Sequence, residues 1–163
     1  VHSDLFTWSY LGVLLLPSVI LVRALGIPLE RVGVTLIGWR QSLTEGAVAT
    51  LALAVLAAVL VVIVRLTGVI PFHAPDFSIL GKPEYLLHSY GQEFLARGLL
   101  QGSLQRFFDD RRGRMSVLLS SALFALLHIH FGVGAVVLTF VSSVPLGLLY
   151  LRHRNLLGVT LLH

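Results

Sequence analysis

The sequence contains no cysteine, only one methionine and few charged residues. The absence of cysteine excludes disulfide bonds, thiol catalysis and cysteine-ligated metal sites. Lysine, arginine, aspartate and glutamate together make up 12% of the 163 residues, whereas an average soluble domain contains about 25%. So little charge leaves too few polar groups to cover a soluble fold, because a folded chain of this size still exposes a large surface to water.

Apolar residues take the place of the missing charge. They make up 56% of the chain, and the mean hydropathy is +0.87. The formal charge is +4, but the basic residues stand between apolar runs, which is typical of membrane topology rather than of nucleic-acid binding. We therefore expect a lipid bilayer as the environment and no nucleic-acid partner; a strongly apolar soluble helical bundle is the alternative.

Several apolar segments approach the roughly 20 residues that a helix needs to span a bilayer. They are residues 8–25, 46–66, 84–107, 115–131 and 133–151, and a sixth begins near Asn155 and is cut off at His163. We therefore predict an all-α, polytopic transmembrane helical bundle with about five full spans plus a truncated sixth. We expect residues 1–163 to form a single transmembrane domain that is a segment of a longer protein.

The segment 84–107 is more polar than the others, and hydropathy alone would place it on the membrane surface. If it crosses the membrane, the arginine-rich loops 23–40, 106–114 and 152–154 all lie on one side, and the other side receives only two basic residues. If it does not cross, this asymmetry largely vanishes. The positive-inside rule therefore favours a crossing segment. It predicts a multi-pass protein of the cell membrane with the arginine-rich loops in the cytoplasm.

Glu93 and Arg97 are charged residues that fall in the middle of a predicted span. Ionisable groups there are costly and suggest function by default. They are four residues apart and can pair on one helix face, so an ion pair that only fixes helix packing is the alternative. At about 1.5 Å per helical residue, His128 and His163 lie at compatible depths. The four side chains can therefore converge in one pocket.

Such a set can perform hydrolysis. A carboxylate with an imidazole can deprotonate a water molecule, and a second imidazole can stabilise an oxyanion or protonate a leaving amine. Glu93, His128 and His163 could instead bind zinc with one open position, but the close His-Glu-x-x-His spacing is absent. We expect no cofactor and keep zinc as the alternative.

Two further features of the segment 84–107 are weaker signals. His88 precedes Gln92 by one helical turn, shares its face and is a candidate for the rim of the pocket. Gly98 and Gly102 form a Gly-x-x-x-Gly pair, which permits close packing between helices and indicates nothing about chemistry.

Three motifs resemble those of one family of membrane proteins. Residues 91–98 (GQEFLARG) resemble the Glu-Glu-x-x-x-Arg-Gly motif of the CPBP family, the CAAX-protease and bacteriocin-processing proteins also called Abi. Residues 124–128 (FALLH) match the family's Phe-x-x-x-His motif. Residues 147–157, leading to His163, resemble the approach to its His-x-x-x-Asn motif. The resemblance covers about residues 84–163, and three motifs in this order are fairly specific.

The resemblance implies an intramembrane endopeptidase acting on a peptide or membrane-protein substrate, with Glu93, Arg97, His128 and His163 as its catalytic set. In the family, a glutamate of the first motif activates water without a metal. Here Gln92 stands at the first position, and glutamine cannot accept a proton. Either Glu93 is the base or the group that orients it, or the protein is an inactive membrane scaffold, immunity or regulatory protein of the same fold. A small transporter is a third alternative, but it would favour inverted repeats that the sequence lacks.

Overall fold

The computed structural model describes residues 2–67 and 83–163, and these ranges are almost entirely helical. The helices are α1 (His2–Ala24), α2 (Trp39–Thr67), α3 (Pro83–Glu93), α4 (Gly102–Phe107), α5 (Arg114–Leu126), α6 (Val133–His153) and α7 (Leu156–Leu162). A π-helical segment, Phe94–Gln101, and two 3-10 turns, Leu29–Val32 and Ile129–Phe131, lie between them. No strand occurs in the described ranges, so the all-α prediction is confirmed.

The predicted segment 84–107 is one continuous helix. Glu93 and Gly102, which flank the π-helical segment, both keep right-handed helical angles (φ −67°, ψ −35° and φ −63°, ψ −35°). The α3 helix, the π-helical segment and α4 therefore follow one another without a break, and we call them together helix 83–107. Short π-helical stretches inside an α-helix frequently mark functional sites, and this one begins directly after Glu93.

The prediction that the fourth segment is helical up to residue 131 is wrong, and so is the placement of His128 deep within that helix. The α5 helix ends at Leu126, and His128 lies in the following turn. The backbone N–H of His128 donates to Ala125 at 2.9 Å, and its ring Nδ1 lies 3.0 Å from the carbonyl oxygen of Phe124. The imidazole thus bonds to the carbonyl oxygen of Phe124, which would accept from the backbone N–H of His128 if the α-helix continued. The helix therefore tightens and ends.

The burial pattern has polar groups inside and apolar groups outside. Among the residues that the structure describes, ten polar or charged ones are buried. They are Ser42, Ser89, Glu93, Arg97, Gln101, Ser116, Ser120, Ser121, Ser143 and Asn155. Large apolar side chains along α2 and α6 are exposed. Small polar residues between helices and apolar residues on the outside are typical of helices packed in lipid.

Two helices in the described ranges are long and apolar enough to cross a membrane. They are Trp39–Ile63 and Val133–His153, whereas Leu11–Ala24 and Arg114–Leu126 are apolar but shorter. The count of five full spans therefore stays a prediction. So does the assignment of the arginine-rich loops to the cytoplasm.

Close helix packing brings α7 against α2 and so positions the end of the chain. A Cβ atom built on Gly46 of α2 would lie 2.5 Å from the carbonyl oxygen of Gly158 in α7, and the N–H of Gly158 donates to Ser42 Oγ at 3.1 Å. Gly98 packs equally closely, with its Cβ position 2.5 Å from the carbonyl oxygen of Val32. Gly102 makes no such approach, so the predicted close packing is found at Gly98 alone.

The side chain of Asn155 fixes the start of α7. Its Oδ1 accepts from the N–H of Leu157 at 2.8 Å and thereby caps the helix. Its Nδ2 donates to the carbonyl oxygens of Thr35 at 2.7 Å and Ile37 at 3.1 Å. One buried amide therefore joins the loop before α2 to the helix that ends next to His163.

Candidate active site

Glu93 and Arg97 form a buried ion pair within helix 83–107. Arg97 Nε lies 3.2 Å from Glu93 Oε2, and both side chains have 0% relative exposure. Their spacing of four residues places them one above the other on a single helix face. The pairing expected from the sequence is therefore present. The pairing offsets the free-energy cost of removing two charges from water. A single unpaired charge in the same position would have no such compensation.

Hydroxyl groups from neighbouring helices and an amide from its own helix surround the guanidinium of Arg97. Its Nη1 donates to Gln101 Oε1 at 3.3 Å and to Ser120 and Ser121 Oγ at 3.4 Å each. Its Nη2 donates to the carbonyl oxygen of Ser143 at 2.8 Å and also to the Oγ of that residue. Arg97 thus ties helix 83–107 to α5 and α6. The sequence analysis missed these partners, although Gln101 follows Arg97 by one turn and paired serines stand out in the apolar α5.

His163 completes the contacts of Glu93. Its Nδ1 lies 2.6 Å from Glu93 Oε1, and its side chain retains 16% exposure. A carboxylate accepts hydrogen bonds, so Nδ1 is the nitrogen that donates in this contact. The hydroxyl of Tyr85 donates to the backbone carbonyl of His163 at 3.5 Å. Three of the predicted site residues, Glu93, Arg97 and His163, therefore form one connected group.

A cavity of about 580 Å³ lies beside this group. Apolar side chains from α1, helix 83–107 and α5 form most of its wall, and the polar side chains in the wall are His88, Gln92, His128 and His130. Glu93, Arg97 and His163 do not line it. The predicted site residues thus divide into a buried group behind the wall and a second group, Gln92 and His128, in the wall itself.

Phe124 contacts an imidazole of each group. Its ring centroid lies 5.0 Å from that of His128 and 6.3 Å from that of His163, in edge-to-face arrangements. Phe124 also lines the cavity, with 8% of its surface exposed. The structure therefore brings both imidazoles against the same aromatic ring. It does not bring them into the direct contact that a single converging pocket implied.

Gln92 and Glu93 are neighbours in sequence but face different surroundings. Successive residues of an α-helix are about 100° apart around its axis, so Gln92 faces the cavity while Glu93 faces Arg97 and His163. Gln92 is half-buried. No hydrogen-bond partner for its side-chain amide occurs among the described residues. His88, one turn earlier, also lines the cavity and packs edge-on against Trp8, with ring centroids 5.4 Å apart.

The described residues contain no group of three or more histidine, aspartate or glutamate side chains arranged to hold a metal ion. Glu93, His128 and His163 therefore do not form a ligand set in this geometry. A zinc site on these residues would require His128 to move. That the protein works without a cofactor stays a prediction.

Comparison with known proteins agrees with the motifs. The family described as type II CAAX prenyl endopeptidase Rce1-like matches residues 83–163. This match includes helix 83–107, the Phe124–His128 turn and α7, and it confirms the family resemblance. No curated protein and no solved structure matches the chain.

Proposed function

Since the chain belongs through residues 83–163 to the Rce1-like family of type II CAAX prenyl endopeptidases, which are embedded in membranes, we propose that it is an intramembrane endopeptidase. Its substrate is a membrane-associated peptide, and its reaction is hydrolysis of a peptide bond. The observation that carries the proposal is the contact of 2.6 Å between His163 Nδ1 and Glu93 Oε1. A buried carboxylate that holds an imidazole in this way prepares the other ring nitrogen to act as a base.

Glu93 is better suited to orient a base than to act as one. One of its oxygens accepts from Arg97 and the other from His163, and its side chain has no exposed surface. Arginine stays protonated in proteins, so Arg97 gives the carboxylate a fixed positive partner. The base in this proposal is His163: with Nδ1 donating to Glu93, Nε2 is the ring nitrogen left to accept a proton, and the side chain keeps 16% exposure.

The reaction requires a single water molecule. His163 Nε2 takes a proton from the water, whose oxygen attacks the carbonyl carbon of the scissile peptide. The C=O electrons move to oxygen and form an oxyanion. When this oxyanion collapses, the C–N bond breaks, and the imidazolium returns the proton to the leaving nitrogen. The products are a carboxylic acid and an amine, and Glu93 stabilises the imidazolium while it exists.

His128 contacts the peptide from the cavity side. Its Nδ1 is held by the carbonyl oxygen of Phe124, which directs Nε2 away from the end of α5. His128 lines the cavity, so Nε2 is available to the peptide bound there. The Phe124 ring both lines the cavity and contacts His163, so it is the side chain through which the bound peptide and His163 are neighbours.

The second candidate function is a membrane scaffold or regulatory protein of the same fold without catalysis. Two observations favour it: Glu93 is fully neutralised by its partners, and Gln92 replaces the first glutamate of the motif. In this case the ion pair only fixes helix packing. The two functions differ in whether removal of an imidazole changes any chemical rate.

The test is hydrolysis of quenched fluorescent peptides, anchored in the bilayer, by the protein in liposomes, with cleavage sites identified by mass spectrometry. His163→Ala is expected to lower kcat about 10²–10⁴-fold, the range of general acid–base catalysis, whereas His128→Ala, which removes a contact with the bound peptide, is expected to raise KM. His153→Ala is the matched control, because this imidazole contacts Glu45 at the far end of α6. Every variant is checked for folding by thermal unfolding.

The outcomes separate the two functions. A cleaving wild type whose rate falls in the His163 variant but not in the His153 variant supports the endopeptidase. A folded wild type that cleaves nothing supports the scaffold. Loss of wild-type cleavage in a chelator, with recovery on adding zinc, would replace the metal-free scheme with a metal-dependent one.

A further inference from the structure

Two basic parts of the chain meet where helix 83–107 ends. Residues 106–114 (RFFDDRRGR) contain four arginines and two aspartates, and Arg154 follows the last residue of α6. The guanidinium of Arg154 donates to Gln105 Oε1. A Cβ atom built on Gly113 would lie 2.5 Å from Leu151 Cδ2. The loop before α5 therefore packs against the end of α6, and arginines from both parts share one end of the bundle.

Arg106 and Arg154 lie near the same side chain at this junction, and both are exposed. Both interact electrostatically with the phenol of Tyr150, and Arg154 Cζ lies 5.7 Å from the centroid of the phenol ring. Arg106 donates to Ser103 Oγ at 3.3 Å. Within residues 2–67 and 83–163, no carboxylate forms an ion pair with either guanidinium. Two neighbouring positive charges therefore have only neutral partners there.

The carboxylates around this junction have other partners. Asp110 accepts from backbone N–H groups of its own loop at 2.9 Å each. Asp109 lies 4.0 Å from Arg111, and both are exposed. Glu45 is paired with Arg152 at 3.2 Å. The junction keeps an excess of positive charge, which attracts an anion from outside the described parts of the chain.

Exposed apolar side chains adjoin these arginines. Phe107 is 81% exposed, Phe108 is 43% exposed, and their rings pack edge to face with centroids 4.9 Å apart. Met115, Leu118 and Leu119 of α5 are also exposed, and their spacing places them on one helix face. A free phosphate ion would contact the arginines and leave this apolar surface in water. A ligand with an anionic head and an apolar tail matches both features.

We propose that Arg106 and Arg154 bind the phosphate group of an anionic phospholipid, with Phe107 and Phe108 beside its glycerol region and an acyl chain along the exposed face of α5. Guanidinium groups bind phosphate through paired, charge-assisted hydrogen bonds. Basic pockets between membrane helices bind lipid headgroups in this way, and the cytoplasmic leaflet, where we predict this loop, carries anionic lipid. None of these four residues lines the cavity, so the inference goes beyond the proposed function and does not depend on it.

The central experiment measures lipid binding by native mass spectrometry of the protein released from detergent micelles. The probes are phosphatidylglycerol, which carries a net negative charge, and phosphatidylcholine, whose phosphate is neutralised within its own headgroup. The wild type is expected to bind phosphatidylglycerol more tightly. Arg106→Gln/Arg154→Gln is expected to raise the Kd of phosphatidylglycerol about 5-fold for each arginine removed and to leave that of phosphatidylcholine unchanged.

Two further variants separate a local site from general attraction. Arg23→Gln/Arg31→Gln removes the same charge from exposed positions before α2, and it is expected to leave the Kd of phosphatidylglycerol unchanged. Phe107→Ala/Phe108→Ala keeps every charge. It is expected to weaken binding of both lipids by a similar factor, because it removes apolar contacts that both lipids make.

A salt series on the unchanged wild type keeps the test independent of whether a variant folds. Raising the ammonium acetate concentration from about 0.1 M to about 1 M shortens the Debye length from about 10 Å to about 3 Å. Because both arginines are exposed, the preference for phosphatidylglycerol is expected to fall sharply over this range. A preference that does not change with salt rejects a site built on these arginines.

The remaining outcomes overturn the inference in distinct ways. Equal wild-type affinities for the two lipids mean that the junction does not recognise an anionic headgroup. An equal loss in the Arg23/Arg31 variant means that net charge alone attracts the lipid. Displacement of phosphatidylglycerol by an equal concentration of glycerol phosphate means that the site takes a free phosphate and that the apolar surface contributes nothing.

Discussion

Glu93 and His163 are 70 residues apart in the sequence, yet Oε1 of the first lies 2.6 Å from Nδ1 of the second. The contact joins helix 83–107 to α7, and it is held from both sides. Arg97 fixes the carboxylate, and the packing of α7 against α2 fixes the imidazole. Substitutions that weaken either the Arg97 contact or the packing of α7 against α2 should therefore disturb the contact between Glu93 and His163.

The first prediction concerns the buried ion pair. Arg97→Met should lower the free energy of unfolding by about 3–5 kcal/mol, because Glu93 is left buried without its counter-charge. The double variant Glu93→Gln/Arg97→Met should recover much of this loss, because two neutral groups replace two charges. Denaturant-induced unfolding in bicelles measures both values.

The control for the ion pair is Arg111→Met. Arg111 lies 4.0 Å from Asp109, and both side chains are 89% exposed, so this substitution should change the unfolding free energy little. If Arg97→Met and Arg111→Met have equal stability, the guanidinium network does not hold the bundle together. The double variant should not cleave peptide, since it leaves His163 without a carboxylate partner.

The second prediction concerns the crossing of α2 and α7. Gly46→Ala should destabilise the protein by about 1–3 kcal/mol, the usual cost of overpacking, because its Cβ would lie 2.5 Å from the carbonyl oxygen of Gly158. Gly12→Ala is the matched control: Gly12 lies within α1 with nothing within 4 Å of its Cβ position. There the better helix propensity of alanine should leave stability unchanged or raise it by up to about 1 kcal/mol. Equal losses in thermal unfolding at both sites would contradict this account.

The third prediction concerns Asn155, which both caps α7 and holds the loop before α2. Asn155→Ala should cost about 1–3 kcal/mol, because two carbonyl oxygens lose their donor along with the cap. Asn155→Asp keeps an acceptor for the N–H of Leu157 but places a carboxylate oxygen against the carbonyls of Thr35 and Ile37. It should therefore be no more stable than the alanine variant. An aspartate variant as stable as the wild type would show that capping alone matters.

The fourth prediction concerns pH and the loop before α5. The carboxylate of Asp110 accepts hydrogen bonds that lower its pKa. The largest effect comes from the backbone N–H of Ser116, and the hydroxyl of Ser116 and the backbone N–H of Gly113 add to it. These bonds measure 2.9 Å each. A lowered folded-state pKa means that the ionised form stabilises the fold. This contribution is complete above about pH 4, the ordinary value for aspartate, and is lost as the pH falls through the lower, folded-state pKa.

Thermal unfolding of the wild type and of Asp110→Asn between pH 3 and pH 7 tests the contribution of Asp110. The variant should melt at a lower temperature than the wild type at neutral pH, and the difference should shrink as the pH falls. A constant difference over this range would mean that the charge of Asp110 is not the stabilising feature.

The fifth prediction concerns topology, and the absence of cysteine makes it direct to test. The side chain of Arg111 lies in a loop and is 89% exposed. We therefore expect Arg111→Cys to react with an impermeant maleimide from the cytoplasmic side only. Glu84→Cys, at the opposite end of helix 83–107, should react only from the other side. Labelling of both from the same side of sealed vesicles would mean that helix 83–107 does not cross the membrane.

Much of the buried group could be predicted because charge is so rare in this chain. Glu93 and Arg97 stand out in an apolar background, and their spacing predicts that they pair. The partners of Arg97 could not be predicted in the same way. Serines are common in membrane helices, and whether Ser143 faces a guanidinium or lipid depends on the rotation of α6 within the bundle. That rotation is a property of packing and not of local sequence.

The turn at His128 was missed for a different reason. No glycine or proline between Phe124 and Ile129 marks the end of α5, because the interruption comes from a side chain that competes for a backbone carbonyl. The contacts of Asn155 with the loop before α2 were equally invisible, since they join residues up to 120 positions apart. Local pattern identifies the helices here, but it does not identify which polar side chain ends one helix or anchors another.

The position of Arg97 also affects the order in which the protein can be assembled during synthesis. An arginine near the centre of an inserting helix costs about 2.5–3.5 kcal/mol at the translocon. When helix 83–107 emerges from the ribosome, Glu93 is already present, but the serines at 120, 121 and 143 that also bind the guanidinium have not yet been translated. If helix 83–107 crosses the membrane as predicted, its stable integration therefore depends on helices made after it, and a ribosome stalled before α5 would leave it poorly inserted.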